Sequence, residues 1–199
     1  MNTTTQSRIV KKRATDRAER LLQLGVPLVH AGDLAVLWGM TNENTLHTTI
    51  RRLVARGVLQ PIYRGFYATR PLSTIDPVLV GARAFHCYNY LSTESVLAIE
   101  GVIAQQPNAY TYVGPATRSC TIGPHRFHMR QMAPQFLYNS AGVYEDAGGV
   151  RTASLARAVA DMRYYVPHVH LDAVQQIDEH AVRELAQTVG FTTAHNDHA

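Results

Sequence analysis

The sequence predicts an α+β fold in two domains, and three observations lead to this class. Residues 34–55 contain two short segments with the apolar spacing of helices, separated by a turn. Strand patterns bounded by Gly and Pro turns follow at residues 58–68 and again at residues 109–145. The charge is divided as well: residues 1–70 hold 11 Lys and Arg against four acids, whereas residues 71–199 hold eight against 11. A polyanion would therefore be attracted to the first third of the chain.

The N-terminal domain is predicted to span residues 13–70, after a flexible basic arm at residues 1–12. Apolar spacing predicts that its first helix runs up to Leu24, where Gly25 closes it. The apolar run Val26–Val29 is then predicted to be an extended strand. It would pair with the later hairpin as the third strand of a small sheet.

The two central helices are predicted from two apolar stripes. In the first helix the stripe comprises Leu34, Leu37 and Trp38, and in the second it comprises Leu46, Ile50, Leu53 and Val54. Gly39 lies between the helices and can adopt the positive φ that a sharp exit from a helix requires. Thr41 is predicted to cap the second helix, because its hydroxyl can accept from a free backbone N–H. Gly57 is predicted to end this helix.

The opposite face of the second helix is polar and basic, and no carboxylate follows Glu43 on it. After the helix, two apolar-rich runs flank Tyr63-Arg64-Gly65, which is typical of a hairpin tip. Two helices, a short turn and a β-ribbon in this order predict a winged helix-turn-helix. The alternative for the same surface is a winged helix used for protein contact, with its arginines simply solvated.

The side chains of this predicted surface match the edges of DNA bases and phosphates. Asn can read adenine, Arg can read guanine, and Thr can contact a thymine methyl or a phosphate. At the tip of the ribbon, Arg64 is predicted to reach a phosphate or the minor groove. The predicted DNA-binding residues are Thr41, Asn42, Asn44, Thr45, Thr48, Arg51, Arg52, Tyr63 and Arg64, with Lys11, Lys12 and Arg13 near the N-terminus.

The second domain is predicted to be α+β with a small antiparallel sheet. It would span residues 77–190, after a linker at 71–76 and before a polar tail at 191–199. Ser92 and Thr152 are predicted to cap two of its helices. Strands are predicted near 109–113, 119–122, 126–132 and 142–145, and Arg157 and Asp161 are spaced as an i, i+4 pair.

No pattern of catalytic residues predicts an enzyme, and no cofactor is expected. Both lysines are at positions 11 and 12, which excludes a lysine Schiff base or a P-loop from the second domain. His168 and His170 have a spacing that suits a transition metal on a strand, but without a spaced third ligand we interpret them as structural or surface residues. Cys87 and Cys120 are far apart in sequence and are interpreted as buried thiols. The absence of a signal-like or membrane-spanning apolar run predicts a cytoplasmic protein.

Four segments make the chain similar to a known family. They read IRRLVARGVLQPIYRGFYA, DPVLVGARAF, YLSTESVLAIEGV and RTASLARAVADM, within a region of residues 15–165. This order resembles the AbiEi-like antitoxins of type IV toxin–antitoxin systems. The resemblance implies a winged-helix repressor that binds inverted repeats in its own operon. It also implies a C-terminal domain that counteracts a nucleotidyltransferase-like toxin, with or without direct contact. We expect the protein to be a monomer or a weak dimer.

The residues leave a second function open. In this hypothesis the α+β domain senses a small molecule or a metal and the protein is a ligand-responsive regulator. A third hypothesis, an enzyme that uses the histidines, has the least support, because their spacing matches neither a set of metal ligands nor a set of catalytic residues.

Overall fold

The computed structural model describes residues 16–191, in which helices accompany two separate β-sheets. The predicted α+β class is therefore confirmed. The chain divides into two units between Asp76 and Pro77, called here the first and the second unit. No helix among residues 16–191 is both long and apolar enough to cross a membrane.

The first unit contains three helices around one apolar core. Helix α1 covers residues 16–23, and it is followed by α2 (Ala31–Trp38) and α3 (Glu43–Ala55). Gly39 ends α2 with a left-handed φ of 61°, as the sequence predicts. The core is formed by residues of all three helices and of the strands, namely Ala18, Leu21, Val29, Leu34, Trp38, Leu46, Ile50, Leu53 and Leu59.

A three-stranded antiparallel sheet completes the first unit. Its strands are β1 (Leu28–His30), β2 (Gln60–Tyr63) and β3 (Phe66–Ala68), in the order β1-β3-β2. The predicted pairing of the early strand with the later hairpin is thus confirmed. Tyr63 belongs to β2 rather than to the turn, which consists of Arg64 and Gly65. The carbonyl of Gly65 accepts from the backbone N–H of Ala31 at 2.8 Å, so the turn is fastened to the start of α2.

The segment predicted as a linker has structure of its own. Residues Leu72–Thr74 form a 3₁₀ turn, and the side chain of Ile75 is buried at 4% exposure. An apolar side chain of this size is stabilised by leaving water, so the segment is packed at Ile75.

The second unit contains one mixed six-stranded sheet with helices. Its helices are α4 (Pro77–Ala84), α5 (Glu94–Ile99), α6 (Pro134–Leu137), α7 (Leu155–Tyr165) and α8 (Glu179–Val189), with a 3₁₀ turn at Val174–Gln176. Its strands are β4 (Tyr90–Leu91), β5 (Tyr110–Gly114), β6 (Arg118–Ile122), β7 (His125–Gln131), β8 (Val143–Glu145) and β9 (Arg151–Ala153).

The prediction of a small antiparallel sheet is wrong for this unit. The strand order is β6-β7-β5-β4-β9-β8, and the pairs β5–β7 and β4–β9 are parallel. The hairpin of β6 and β7 folds back so that β7, not β6, lies beside β5. Apolar alternation identifies strands but not their neighbours, because direction is set by the connections. Strand β9 is not predicted from the sequence, because three residues are too few to show an alternating pattern.

Two predicted helix caps are also wrong. Thr152 lies on β9, and Ser154 caps α7 by accepting from the N–H of Arg157 at 3.2 Å. Ser92 is fully buried and donates its hydroxyl to Asp161 at 2.7 Å. The N-cap position of α5 is Thr93, one residue after Ser92, and Ser154 is two residues after Thr152, so at each site a second Ser or Thr nearby takes the position.

A fully buried ion pair lies at the centre of the second unit. Arg157 and Asp161 are one turn apart on α7, both are 0% exposed, and Arg157 Nε donates to Asp161 Oδ1 at 2.8 Å. The terminal nitrogens of Arg157 donate to the hydroxyl of Tyr90 at 2.9 Å and to three backbone carbonyls. These carbonyls are those of Phe136, Asn139 and Ala141. All five N–H donors of the guanidinium therefore have acceptors.

Gly81 marks the closest approach of α4 to the sheet. A Cβ at this position would lie 2.4 Å from Phe127 Cδ1 and 2.5 Å from the hydroxyl of Tyr112. Both rings are held in place by burial, so we expect Gly81→Ala to lower the free energy of unfolding by about 1–3 kcal/mol.

Gly32→Ala on α2 is the control for this prediction. A Cβ at Gly32 meets no atom within 4 Å, so the same substitution is expected to be neutral or to stabilise by up to about 1 kcal/mol. Thermal unfolding followed by circular dichroism compares the two variants. Equal melting temperatures would contradict the close helix–sheet contact.

Candidate nucleic-acid interface

The outward face of α3 presents polar and basic side chains to solvent. The residues that the sequence assigns to it are all exposed: Asn44, Thr45, Thr48, Arg51 and Arg52. The opposite stripe, which includes Ile50 and Leu53, is buried in the core of the first unit. Within residues 16–191, the guanidiniums of Arg51 and Arg52 take part in no hydrogen bond or ion pair. These charges are therefore available to a partner.

The start of α3 differs from the prediction, because Asn42 and not Thr41 is the cap. Asn42 Oδ1 accepts from the backbone N–H of Thr45 at 3.0 Å and lies 3.2 Å from Thr45 Oγ1, which donates to it. Thr41 is exposed and lies one residue before the cap. The predicted contacts of Asn42 and Thr45 with DNA must therefore compete with a bond that fixes the helix start.

Replacing Asn42 by Ala tests this cap. Loss of the bond to the Thr45 N–H is expected to lower the free energy of unfolding by about 1 kcal/mol. The control is Thr41→Ala, which removes a polar side chain next to Asn42. It is expected to change the free energy of unfolding by no more than a few tenths of a kcal/mol. Urea unfolding of both variants gives the comparison, and a larger loss for Thr41→Ala would contradict the assignment.

His47 is an exposed residue of this face that the sequence interpretation left out. It lies three residues after Asn44 and four before Arg51, so it flanks the face on the side opposite Thr45. Helical spacing alone would have found it. His47 adds a polar ring that can donate to or accept from a base edge or a phosphate.

The tip of the β2–β3 hairpin is held by aromatic packing. Phe66 is fully buried and stacks on His30, with ring centroids 4.4 Å apart. The ring of Tyr63 lies 5.1 Å from Phe66 and is 40% exposed. Arg64 follows on the exposed turn, and in the described part of the chain its guanidinium has no hydrogen-bond or ion-pair partner. The hairpin therefore presents a cation at a fixed place.

An arginine of helix α1 forms a hydrogen bond to α3. Arg17 donates to Thr49 Oγ1 at 3.4 Å, and Thr49 donates to the carbonyl of Thr45 at 2.8 Å. The indole of Trp38 on α2 donates to the carbonyl of Arg17 at 3.3 Å. The three helices are thus tied together beneath the polar face.

Two acids of the first unit, Asp33 and Asp16, form contacts on α1 and α2 instead of on this face. Asp33 accepts from the N–H of His30 at 2.9 Å, and Asp16 pairs with Arg20 at 3.6 Å. The predicted DNA-binding residues Lys11, Lys12 and Arg13 lie outside the described residues. Residues 16–76 contain seven arginines and five acids. Three of the seven arginines, Arg51, Arg52 and Arg64, lie on the outward face of α3 and at the hairpin tip.

The histidine pair of the second unit has no metal-binding arrangement. His168 is exposed, and His170 is 91% exposed with its Nε2 3.7 Å from Asp172 Oδ1. Among residues 16–191, no three His, Cys, Asp or Glu residues are grouped so that they could hold a metal ion. Cys87 and Cys120 are free and half-buried, and burial raises the pKa of both thiols.

Comparisons with known proteins add one structural similarity. No protein-family model matches the sequence, and no curated protein matches it. Among solved structures, the chain is similar to the crystal structure of the RV2827C protein from Mycobacterium tuberculosis, with 16% sequence identity and a TM-score of 0.49. The match covers 94% of this chain and 72% of that one. A similarity of this size supports no argument about function.

Proposed function

We propose that the first unit is a winged helix-turn-helix that binds double-stranded DNA, and that the protein represses transcription of its own operon. The observation that carries this proposal is the solvent-exposed face of α3. Its two guanidiniums have no partner within residues 16–191, and no acid follows Glu43 on the helix. Unpaired cations on a rigid helix are what a phosphate backbone attracts.

The composition of the face favours DNA over a protein partner. Protein interfaces have an apolar core that is rich in Tyr, Trp, Phe and Met. The exposed large hydrophobic residues of the described chain include Val36 on α2 and Tyr63 on the hairpin, but none on α3. A face made of Asn, Thr, His and Arg instead matches the donors and acceptors of base edges and phosphates.

The proposed roles follow from position on the two elements. Helix α3 enters the major groove, where Asn44, Thr48 and Arg51 meet base edges. Arg52 and Arg64 contact phosphates and supply affinity that depends little on sequence. Asn42 contributes by fixing the start of α3 rather than by reading a base.

The test is a gel-shift titration of the full chain with duplexes from the promoter of its own operon. We expect retardation that survives an excess of unrelated duplex and weakens steeply with salt, because phosphate contacts release counterions. Binding to single strands of the same sequence should be weaker. Equal affinity for all duplexes and single strands, or no binding at low salt, would contradict the proposal.

The antitoxin function is proposed on the sequence resemblance alone, for the second unit. If the neighbouring reading frame encodes a nucleotidyltransferase-like toxin, co-expression of this protein should restore growth. A variant with the arginines of the α3 face removed should lose repression but still restore growth. Failure of the wild-type chain to restore growth would remove the antitoxin role and leave the DNA-binding proposal standing.

A further inference from the structure

The second unit contains an open cleft that the DNA-binding proposal does not use. Its volume is about 530 Å³, and it lies between α5, residues 106–109 and the turn that leads into β7. Clefts of roughly 300–1,000 Å³ are the size that binds small organic molecules. All the residues that line it belong to the second unit.

The lining of the cleft is polar and contains a cation but no carboxylate. Arg126 is exposed at its edge, and within residues 16–191 its guanidinium has no ion-pair or hydrogen-bond partner. Gln106 and Asn108 add two exposed amides, each of which can donate and accept. This lining excludes a divalent cation as the ligand and favours an anion with polar edges.

One wall of the cleft is aromatic and is held in position by the core. The ring of Tyr110 is stacked on the buried ring of Phe127, with centroids 5.6 Å apart and planes at 23°. His125 meets Tyr110 edge-on at 5.7 Å. Across the cleft, Ile99 is 66% exposed and adds an apolar side chain to the lining. A flat ligand would cover part of this apolar surface.

We propose that the cleft binds an anion that carries a planar heteroaromatic ring and has the size of a mononucleotide. The ring of the ligand lies against Tyr110 and Ile99, its anionic group pairs with Arg126, and its polar edges meet Gln106 and Asn108. An aromatic face and one unpaired guanidinium are the two groups that such a ligand requires. This site would give the second unit a ligand of its own, independent of DNA binding by the first.

Isothermal titration calorimetry of the full chain with AMP, GMP, CMP and UMP tests the proposal. At least one of these should bind with a stoichiometry of one, and Arg126→Gln should weaken that binding about tenfold or more, because a hydrogen bond to a charged group is lost. The control is Arg118→Gln, an exposed arginine on the neighbouring strand β6 that does not line the cleft. It should bind as the wild-type chain does.

Two smaller ligands test the aromatic wall and Arg126 separately. Inorganic phosphate lacks the ring, and the nucleoside of the preferred mononucleotide lacks the anion, so each should bind more weakly than that mononucleotide. The proposal is overturned if none of the four mononucleotides binds or if Arg126→Gln binds as tightly as Arg118→Gln. It is also overturned if phosphate alone binds as tightly as the mononucleotide. Both arginines are exposed, so circular dichroism should show that each variant is folded.

Discussion

Replacing Arg157 by Met is expected to lower the free energy of unfolding of the second unit by about 3–5 kcal/mol, because it leaves Asp161 buried without its ion-pair partner. Both side chains are 0% exposed, so water cannot replace the lost contact. The substitution also removes the donor to the hydroxyl of Tyr90 and to the carbonyls of Asn139 and Ala141, whereas the carbonyl of Phe136 still accepts from the N–H of Asn139. Chemical denaturation followed by tyrosine fluorescence gives the measurement.

Arg163→Met is the matched control, since Arg163 lies on the same helix and is also paired. It contacts both carboxylate oxygens of Glu179 at 2.7 and 2.8 Å, but its side chain is 35% exposed. Ion pairs that water reaches contribute about 1 kcal/mol or less. If Arg157→Met is no more destabilising than Arg163→Met, the buried network does not stabilise the unit as described.

The decrease in the free energy of unfolding caused by Arg157→Met should depend on pH. Burial raises the pKa of Asp161, and the Arg157 guanidinium and the Ser92 hydroxyl oppose this rise. Without Arg157 the folded state favours the protonated carboxyl, whereas the unfolded chain ionises near pH 4. The variant should therefore be least destabilised below about pH 4 and lose stability as the pH rises towards 7. The double variant Arg157→Met with Asp161→Leu should recover part of the loss at pH 7.

The triple variant Arg51→Ala, Arg52→Ala, Arg64→Ala is expected to bind promoter DNA about 10³-fold more weakly than the wild-type chain. Each arginine proposed to contact a base or a phosphate contributes roughly 1–3 kcal/mol, and every 1.4 kcal/mol is a factor of ten. The slope of affinity against salt should also fall, because fewer counterions are released.

A charge-matched control separates specific contacts from net charge. The variant Arg83→Ala, Arg118→Ala, Arg183→Ala removes three exposed arginines of the second unit that do not line the cleft and changes the net charge by the same amount. Its affinity for DNA should stay within a few-fold of the wild-type value at 0.15 M salt. At this ionic strength the Debye length is about 8 Å, so exposed charges that do not contact the DNA contribute little. Equal losses in the two variants would mean that DNA attraction is diffuse and that α3 is not the contact surface.

The helices of the first unit were predictable because local periodicity decides them. Leu46, Ile50 and Leu53 repeat on one side of α3, which fixes the buried side and leaves the opposite side for function. The cap was not fixed in the same way. Thr41 and Asn42 are both good caps, and only the backbone geometry shows that Asn42 takes the role.

The second unit was less predictable because its main contacts join distant parts of the sequence. The spacing of Arg157 and Asp161 predicted their pairing, but their burial depends on Tyr90 on β4 and on carbonyls between α6 and β8. The parallel pairing of β5 with β7 also depends on the course of the connections. The cleft beside Arg126 likewise combines α5 with residues about 30 positions later, which no local pattern indicates.

The most direct test of DNA binding by the first unit is an NMR titration of the ¹⁵N-labelled full chain with a duplex from its own promoter. The proposal predicts that amide shifts concentrate at residues 44–52 of α3 and at residues 63–65 of the hairpin, whereas amides of the second unit change little. Shifts confined to residues 77–191, or no shifts at saturating duplex and low salt, would contradict it.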